Sequence, residues 1–479
     1  MTWIHRFLFF TLFFSSIIGE EKKNKHFLDD VTLGAFKLRS VGPALTSGRV
    51  SDFAVRPDKR HEYYVATASG GVWKTIDGGA TYKPVFDKQG SYSIGCITMD
   101  PNNPYTIWVG TGENNNQRSV GYGDGIYRSK DGGKTWEHKG LKDSQHIAKI
   151  IVDPRNSDIV FVAAIGPLWN EGGDRGLYKT KDGGKTWESK IEVDEHTGVT
   201  DLVMDPHDPD VLYAATYQRR RHVFTWMSGG PGSGLYKSTD GGESWNQLKT
   251  GLPSSIIGRI GLAISPANSD VVYAITEAMD DQQGLYRSSN RGASWTKMSK
   301  YVTSGNYYQE IVAHPTEVNT VYSLSTYNMV TYDGGKTFGR LGEKNKHVDN
   351  HVMWIDPNDT DYLLVGCDGG IYESFDRGKN WLYKENLPVT QFYKVTVDND
   401  LPFYNIYGGT QDNYSLGGPS RTQSRNGIAN EDWFVTLGGD GFESAVDPDN
   451  PNIVYAQYQY GNLYRFDKAS GERIDIKPR

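Results

Sequence analysis

The sequence predicts an all-β fold, a β-propeller of four-stranded blades, and three observations predict it. First, Gly-Leu-Tyr-Lys-Thr-Lys-Asp-Gly-Gly-Lys-Thr-Trp at 176–187 recurs in variant form seven times, with the core pattern S/T-x-D-x-G-x-T/S-W. Its aspartate falls at Asp77, Asp131, Asp182, Asp240, Asp333 and Asp376, and Asn290 replaces it once. Second, these positions lie 43 to 58 residues apart, the length of one four-stranded blade per repeat. Third, a strand ending in Asp-Pro or a near relative runs in phase with the box, at Pro57, Pro101, Pro154, Pro206, Pro266, Pro315, Pro357 and Pro448, with Asn399 in the equivalent place once. Nine first strands are therefore visible.

The elements of a blade follow in order. Upstream of each proline, bulky apolar residues alternate with smaller or polar ones, as at Ile150 and Val152 or Leu202 and Met204, the period of a strand. A proline turn, a second strand, a variable loop and a third strand come next. The box then turns the chain into the fourth strand, its glycines supplying positive φ and its aspartate accepting backbone N–H groups. Tyr127, Tyr178, Tyr236 and Tyr286 are expected to pair across from Trp136, Trp187, Trp245 and Trp295, which fill the space between neighbouring blades. Residues 36–43 read as a fourth strand without its own blade, a common way of closing a ring.

Seven boxed blades fill 36–388, and two further first strands follow at 391–398 and 442–447. The expectation is one seven-bladed ring at 36–388 and the start of a second, truncated one at 389–479; a single ring of about nine blades is the alternative. The last two blades lack a clear box: 408–431 is long and polar, and 466–471 is a poor copy.

Ahead of the repeats, His5 and Arg6 precede an apolar run at 7–18 that ends in small residues near Gly19. This reads as a secretory signal peptide at 1–19 followed by a linker at 20–35, because about twelve apolar residues fall short of the roughly 20 that span a bilayer. No later stretch approaches that length, so a secreted or periplasmic protein without a membrane span is expected. The 55 glycines, 13% aromatic content and net charge of -7 suit an exported all-β protein and disfavour nucleic acid as a partner. Arg219, Arg220 and Arg221 are a local basic exception. Cys96 and Cys367, the two cysteines, lie in distant blades, so no disulfide is expected.

Box turns and proline turns share one face, so the loops joining second to third strands share the other. The insertions are there, at 113–124, 167–175, 218–234, 277–283 and 410–421, carrying Asn114, Trp169, Arg219, Arg220 and Trp226. Aromatic platforms beside amides and charges suit a polysaccharide or an extended polypeptide ligand. The channel entrance on that face should be lined by the residues just before each first strand, among them Arg49, His146, Tyr307, Asp349, His351, Gln391 and Asp440. In 347–351, alternate residues of an extended segment would bring His347, Asp349 and His351 together on a metal or for proton transfer. No further cluster has ligand spacing, and neither a metal nor a cofactor is assigned.

On its tandem boxes, and on Arg39-Ser40-Val41-Gly42-Pro43, Gly70-Gly71-Val72-Trp73-Lys74-Thr75 and Gly439-Asp440-Gly441-Phe442, the chain resembles the BNR-repeat (Asp-box) families. These include the sortilin N-terminal domain, the tandem-propeller xyloglucanases and large exported bacterial proteins. The resemblance implies boxes remote from the ligand face and a second ring beyond the first. It also implies a catalytic aspartate just before the glycine pair of the first blade, in a Thr-Asp-x-Gly-Gly context. Here Thr67-Ala68-Ser69-Gly70-Gly71 places Ala68 there, and the partner acid belongs to the second ring. Glycoside hydrolysis needs two carboxyl groups, so Asp368, Asp412, Asp440 and Glu443 are the candidates for a displaced pair. No serine-nucleophile elbow or phosphate loop is present. The leading expectation is an exported propeller that binds a glycan or extended polypeptide on its insertion-rich face. The alternative is a xyloglucanase-like glycoside hydrolase acting on a β-glucan.

Overall fold

The computed structural model describes residues 37–41 and 45–479. Among these residues nine four-stranded antiparallel sheets follow one another, at 50–84, 94–138, 147–191, 197–248, 257–299, 311–340, 350–383, 392–437 and 444–475, numbered here 1 to 9. Each is a meander in which consecutive strands pair. Sheet 4 carries an extra strand, Trp226–Ser228, paired with the extension of its second strand, Leu212–Arg221.

Side chains alternate across a strand, so each sheet has two apolar faces and each face is buried against a different neighbour. Sheets 2 and 3 share Cys96, Trp108, Ile150 and Val162; sheets 3 and 4 share Phe161, Leu177, Leu202 and Leu212. The pattern runs from each sheet to the next through sheet 7 and then returns. Val50, Phe53 and Val65 of sheet 1 share a core with Val352, Leu364 and Ile371 of sheet 7. Backbone and hydroxyl bonds reinforce this joint, Gly48 N donating to Val389 O at 2.7 Å and Ser47 Oγ to Leu387 O at 2.8 Å. Sheets 8 and 9 pack on each other through Tyr407, Val454 and Phe466.

The boxes confirm the turn chemistry read from the sequence. In sheet 3, Thr180 Oγ1 donates to Asp182 Oδ1 at 2.8 Å and accepts from Gly184 N at 3.0 Å; Lys185 N and Thr186 N donate to Oδ1, and Thr186 Oγ1 donates to Oδ2 at 2.7 Å. Gly183 and Gly184 hold φ of 69° and 78°, a region that Cβ-bearing residues avoid. Asn290 keeps the arrangement with one bond reversed, its Nδ2 donating to Ser294 Oγ at 2.9 Å where a carboxylate would accept.

The tryptophans do fill the space between sheets, and three of them also reach back to the preceding sheet. Trp136, Trp187 and Trp381 donate Nε1–H to Val85 O, Lys139 O and Gly342 O at 2.6 to 2.7 Å. The expected cross-strand partnership with tyrosine is wrong. Tyr127, Tyr178, Tyr236 and Tyr286 pair with His138, Ser189, Gln247 and Lys297, because Trp is the last residue of the turn and the fourth strand begins after it.

Two further expectations are corrected. Residues 37–41 carry no strand, and sheet 7 is completed by its own fourth strand, Leu382–Tyr383, so the ring needs no strand from the N-terminus. In sheet 8 the loop after the second strand is only 411–414; the third strand, Ser415–Pro419, occupies the rest of the supposed 410–421 insertion. The long polar connection is 420–433, on the face where other sheets carry a box. The expected signal peptide and linker, with Phe36, Gly42 and Pro43, lie outside the described residues. Cys96 and Cys367 are both free and buried.

Candidate functional site

The residue before a first strand and the residue after a second strand meet at one mouth of the channel. Arg49, ahead of Val50–Val55, and Asp368, after Leu363–Cys367, are such a pair. Arg49 Nε donates to Asp368 Oδ1 at 2.6 Å and Nη1 to Glu113 Oε2 at 2.9 Å, while Nη2 lies 3.6 Å from Asp412 Oδ2. Asp368 also accepts the Tyr307 hydroxyl at 2.7 Å, and His351 Nε2 lies 2.7 Å from its Oδ1. The side chains of Arg49 and Asp368 are only 6% and 2% exposed.

Charge in so enclosed a place must be compensated. Burial favours the neutral form of Asp368, but the charges of Arg49 and His351 and their hydrogen bonds outweigh it and hold this carboxyl well below the usual range. Asp412 moves the other way. Burial, then the Asp368 charge and a hydrogen bond to Asp368, push it up to about 9. Two carboxyl groups thus share one proton, kept on Asp412 at neutral pH. Its side chain is 24% exposed, and its backbone N–H donates to Asp440 Oδ1 at 3.0 Å. Asn413 pins this loop of sheet 8 to the first seven sheets, its Nδ2 donating to Asp368 O at 2.9 Å and Ser47 O at 3.3 Å.

The loop of sheet 2 reaches across the mouth. Asn114 Nδ2 reaches Glu310 Oε1 of sheet 6's approach at 3.5 Å, and Asn116 N donates to Asn306 O at 2.9 Å. Arg219 clamps the same loop from sheet 4, through Asn115 O at 2.9 Å, the Asn116 side-chain oxygen, and Gly166 O at 3.0 Å.

Arg219 and His146, expected to face a ligand, are therefore enclosed. His146 Nδ1 lies 2.7 Å from Glu113 O, and burial pushes its pKa well down, so the ring is neutral. Arg220 sits on the rim with Glu171 at 2.7 Å, and Trp169 and Trp226 are exposed there.

His347, Asp349 and His351 do not converge. Asp349 has a φ of 62°, which breaks the extended alternation. It takes the Tyr308 hydroxyl, His351 turns to Asp368, and His347 Nδ1 lies 2.8 Å from Val348 O. Among the described residues, no three His, Cys, Asp or Glu are grouped to hold a metal. Of the carboxyl candidates, Asp368, Asp412 and Asp440 come together, whereas Glu443 stands apart in an exposed pair with Lys394 at 3.0 Å. Gln391 holds the Asp412 loop through its carbonyl, which accepts from Gln411 N.

Ala68 N donates to Arg49 O at 3.0 Å, and Asp368 N to Asp349 O at 3.1 Å. Asp368 thus holds in sheet 7 the place that Ala68 holds in sheet 1, one sheet away around the mouth. Sequence reasoning passed over Glu113, Tyr308 and Asn413. Aligning the repeats on their second strands would have put Asp368 in register with Ala68; nothing in the repeat marks the other three.

Comparison with known proteins agrees with this architecture. The Sortilin-Vps10 family model (sortilin, neurotensin receptor 3) matches residues 124–232. Xyloglucanase Xgh74A of Acetivibrio thermocellus is 25% identical over 304 residues, 58% of this chain and 32% of that protein. An oligoxyloglucan-reducing end-specific xyloglucanase of Emericella nidulans is 22% identical over 364 residues, 66% of this chain and 42% of that protein. The chain thus spans about a third to two fifths of the length of these relatives. The GH74 enzyme of Niastella koreensis superposes with a TM-score of 0.63 at 17% identity, over 92% of this chain and 67% of that one. The GH74 xyloglucanase of Xanthomonas campestris gives 0.60 at 14%, over 92% and 75%. The chain is an Asp-box β-propeller, sortilin-like and xyloglucanase-like, and no helix among the described residues is long and apolar enough to cross a membrane.

Proposed function

We propose that this chain is a glycoside hydrolase-like propeller acting on a polysaccharide of the β-glucan class, with Asp412 as its proton donor. The observation that carries the reading is the Asp368–Asp412 pair. A general acid must hold its proton at the working pH and reach the substrate. Asp412 does both, because Asp368 is kept ionised behind it by Arg49 while Asp412 itself meets solvent at the mouth. Asp440, bonded to the Asp412 backbone, supplies the second carboxyl. Asp368 makes good, from the neighbouring sheet, the carboxylate that Ala68 lacks. The xyloglucanases that match the sequence support the substrate class.

In this reading 1–19 is a signal peptide, 20–35 a linker and the protein is exported. Sheets 1 to 7 form one ring over 36–388, and sheets 8 and 9 open a second over 389–479. The core shared by sheets 7 and 1 supports that division, as does the strand Phe392–Val397 of sheet 8, where Val395 and Val397 are exposed while the first strands of the ring are covered.

The test is reducing-sugar release from a panel of neutral β-glucans, xyloglucan included. Release by the protein, lost in Asp412→Asn and kept in Glu443→Gln, is the expected result. No release, or release that survives both Asp412→Asn and Asp440→Asn, sinks the hydrolase assignment. A second reading, binding without hydrolysis, is favoured by the hydrogen bond between Asp368 and Asp412, since a catalytic pair is held apart around a water or sugar rather than bonded to itself. Retained glycan binding without turnover would select it.

A further inference from the structure

The insertion rim carries a second cluster, made of positive charge on a protein whose net charge is -7. Two of its guanidinium groups are buried without a carboxylate in contact. Arg175 donates to Gly172 O and Asn170 O at 2.6 Å and to Ile165 O at 3.2 Å, and Arg219 to the oxygens of the sheet 2 loop and Gly166. Burial pushes both down, Arg175 to about 10 and Arg219 to about 9; the charge of Arg220 adds to the first shift and that of Arg175 to the second. Carbonyl and amide oxygens take most of their N–H groups and leave Arg219 Nε without a partner, and they do not cancel the charge.

Beside them opens a cavity of about 490 Å³ between the sheet 2 loop and the hairpin of sheet 4, lined by Gln117, Arg118, Arg221, Phe224, Trp226 and Asn306. Arg221 is fixed by Asn116 O at 2.5 Å, by Asn306 Oδ1 at 3.1 Å and by the Trp226 ring, 4.6 Å away. Burial and the nearby charge of Arg118 both lower its pKa. Arg118 is exposed, and among the described residues it makes no hydrogen bond or ion pair. Two like charges facing one opening, over a field from two more, leave a vacancy for an anion. A guanidinium fork matches a planar carboxylate with two parallel bonds. Trp226 and Phe224, the latter 96% exposed, offer rings to a sugar face, and Gln117 an amide to its hydroxyls.

We propose that this rim pocket is a subsite for a uronic-acid residue of an acidic glycan, its carboxylate held between Arg118 and Arg221 and its ring against Trp226. The proposal rests on the glycan reading of this face but not on hydrolysis.

The test is calorimetric titration with tetragalacturonate, neutral cellotetraose, a sulfated galactan oligosaccharide and poly-glutamate. The proteins are the full chain, Arg118→Ala and Arg118→Glu. Because Arg118 supports nothing else in the fold, both variants should melt with the parent. Tetragalacturonate should bind more tightly than cellotetraose, weaken with added salt, lose about tenfold in Arg118→Ala and become undetectable in Arg118→Glu, as for a charge-assisted contact of ordinary strength. Cellotetraose binding should not change in either variant. Equal affinity for acidic and neutral sugars, acidic binding that persists in Arg118→Glu, or tighter binding of the sulfated sugar or poly-glutamate overturns the uronate assignment while neutral-sugar binding leaves the glycan reading standing. Absence of binding by every glycan overturns both.

Discussion

On one face of the first seven sheets, box turns repeat one scheme of hydrogen bonds with small changes, Asn290 and Asn380 each putting an amide where a carboxylate or a hydroxyl stands elsewhere. On the other, no two loops are alike, and one of them crosses the channel mouth. The difference is one of reach. A box closes on itself, Thr180 and Thr186 lying two and four residues from Asp182. The charged cluster joins Arg49 to Asp368 across 319 residues and to Glu113 across 64. The first face is secured locally and seven times over, whereas the second exists only once the ring is assembled and has no duplicate.

The hardest blow to that contrast is Asp368→Ala. Removing one partner of a buried ion pair strands the other, so a loss of about 4 kcal/mol is expected in a denaturant melt. A loss no larger than that of an ordinary surface substitution would mean that the cluster is not structurally singular. Next comes Trp187→Ala, a large-to-small change at a half-buried joint, with an expected loss of about 3 kcal/mol. A loss below about 1 kcal/mol would show that the boxes do not secure neighbouring sheets.

The smallest effect sharpens the comparison through pH, because the mouth adds through Asp412 an alkaline response that the box aspartates lack. Hydrogen bonds within the boxes hold Asp77, Asp131 and Asp376 down at about 2. Depressed carboxyls stabilise the fold above about pH 4, their unfolded value, and that contribution drains as pH falls toward 2. Asp412, raised to about 9, contributes fully below about pH 4 and loses that contribution as pH climbs to 9. Asp412→Asn, which mimics the protonated form, should therefore flatten the decline in melting temperature between pH 5 and 9 and leave the acid limb intact. Parallel curves for variant and parent over that range would remove the shared proton.

The same distinction accounts for what the sequence disclosed. Four-stranded units, proline turns and the box bonds are short-range and periodic, so Asp182 and Thr186 could be read directly. The mouth was foreseen as a place, through Arg49, Tyr307 and His351, because strand ends map to faces. Its wiring was not: that Arg219 would turn inward to hold Asn115 and Asn116, or that Glu113 would take the third side of Arg49, depends on how a long loop falls across an assembled ring. The misplacement of 410–421 has a plainer cause. Ser415–Pro419 is rich in glycine, lacks β-branched residues and so carries no strand signature.

The backward lean of the box tryptophans bears on how the molecule is made. Each of Trp136, Trp187 and Trp381 rests on a sheet synthesised before its own, so blades can be locked in the order in which they leave the ribosome. Among the described residues sheet 1 has no earlier neighbour, and there the position is Tyr82, whose hydroxyl lies 2.8 Å from that of Tyr63 in the same sheet. One joint must wait: Ser47 meets Leu387 only after 340 further residues have been added, which makes the seam between the first and seventh blades the last to form and the first place where a nascent chain stands open to misassembly.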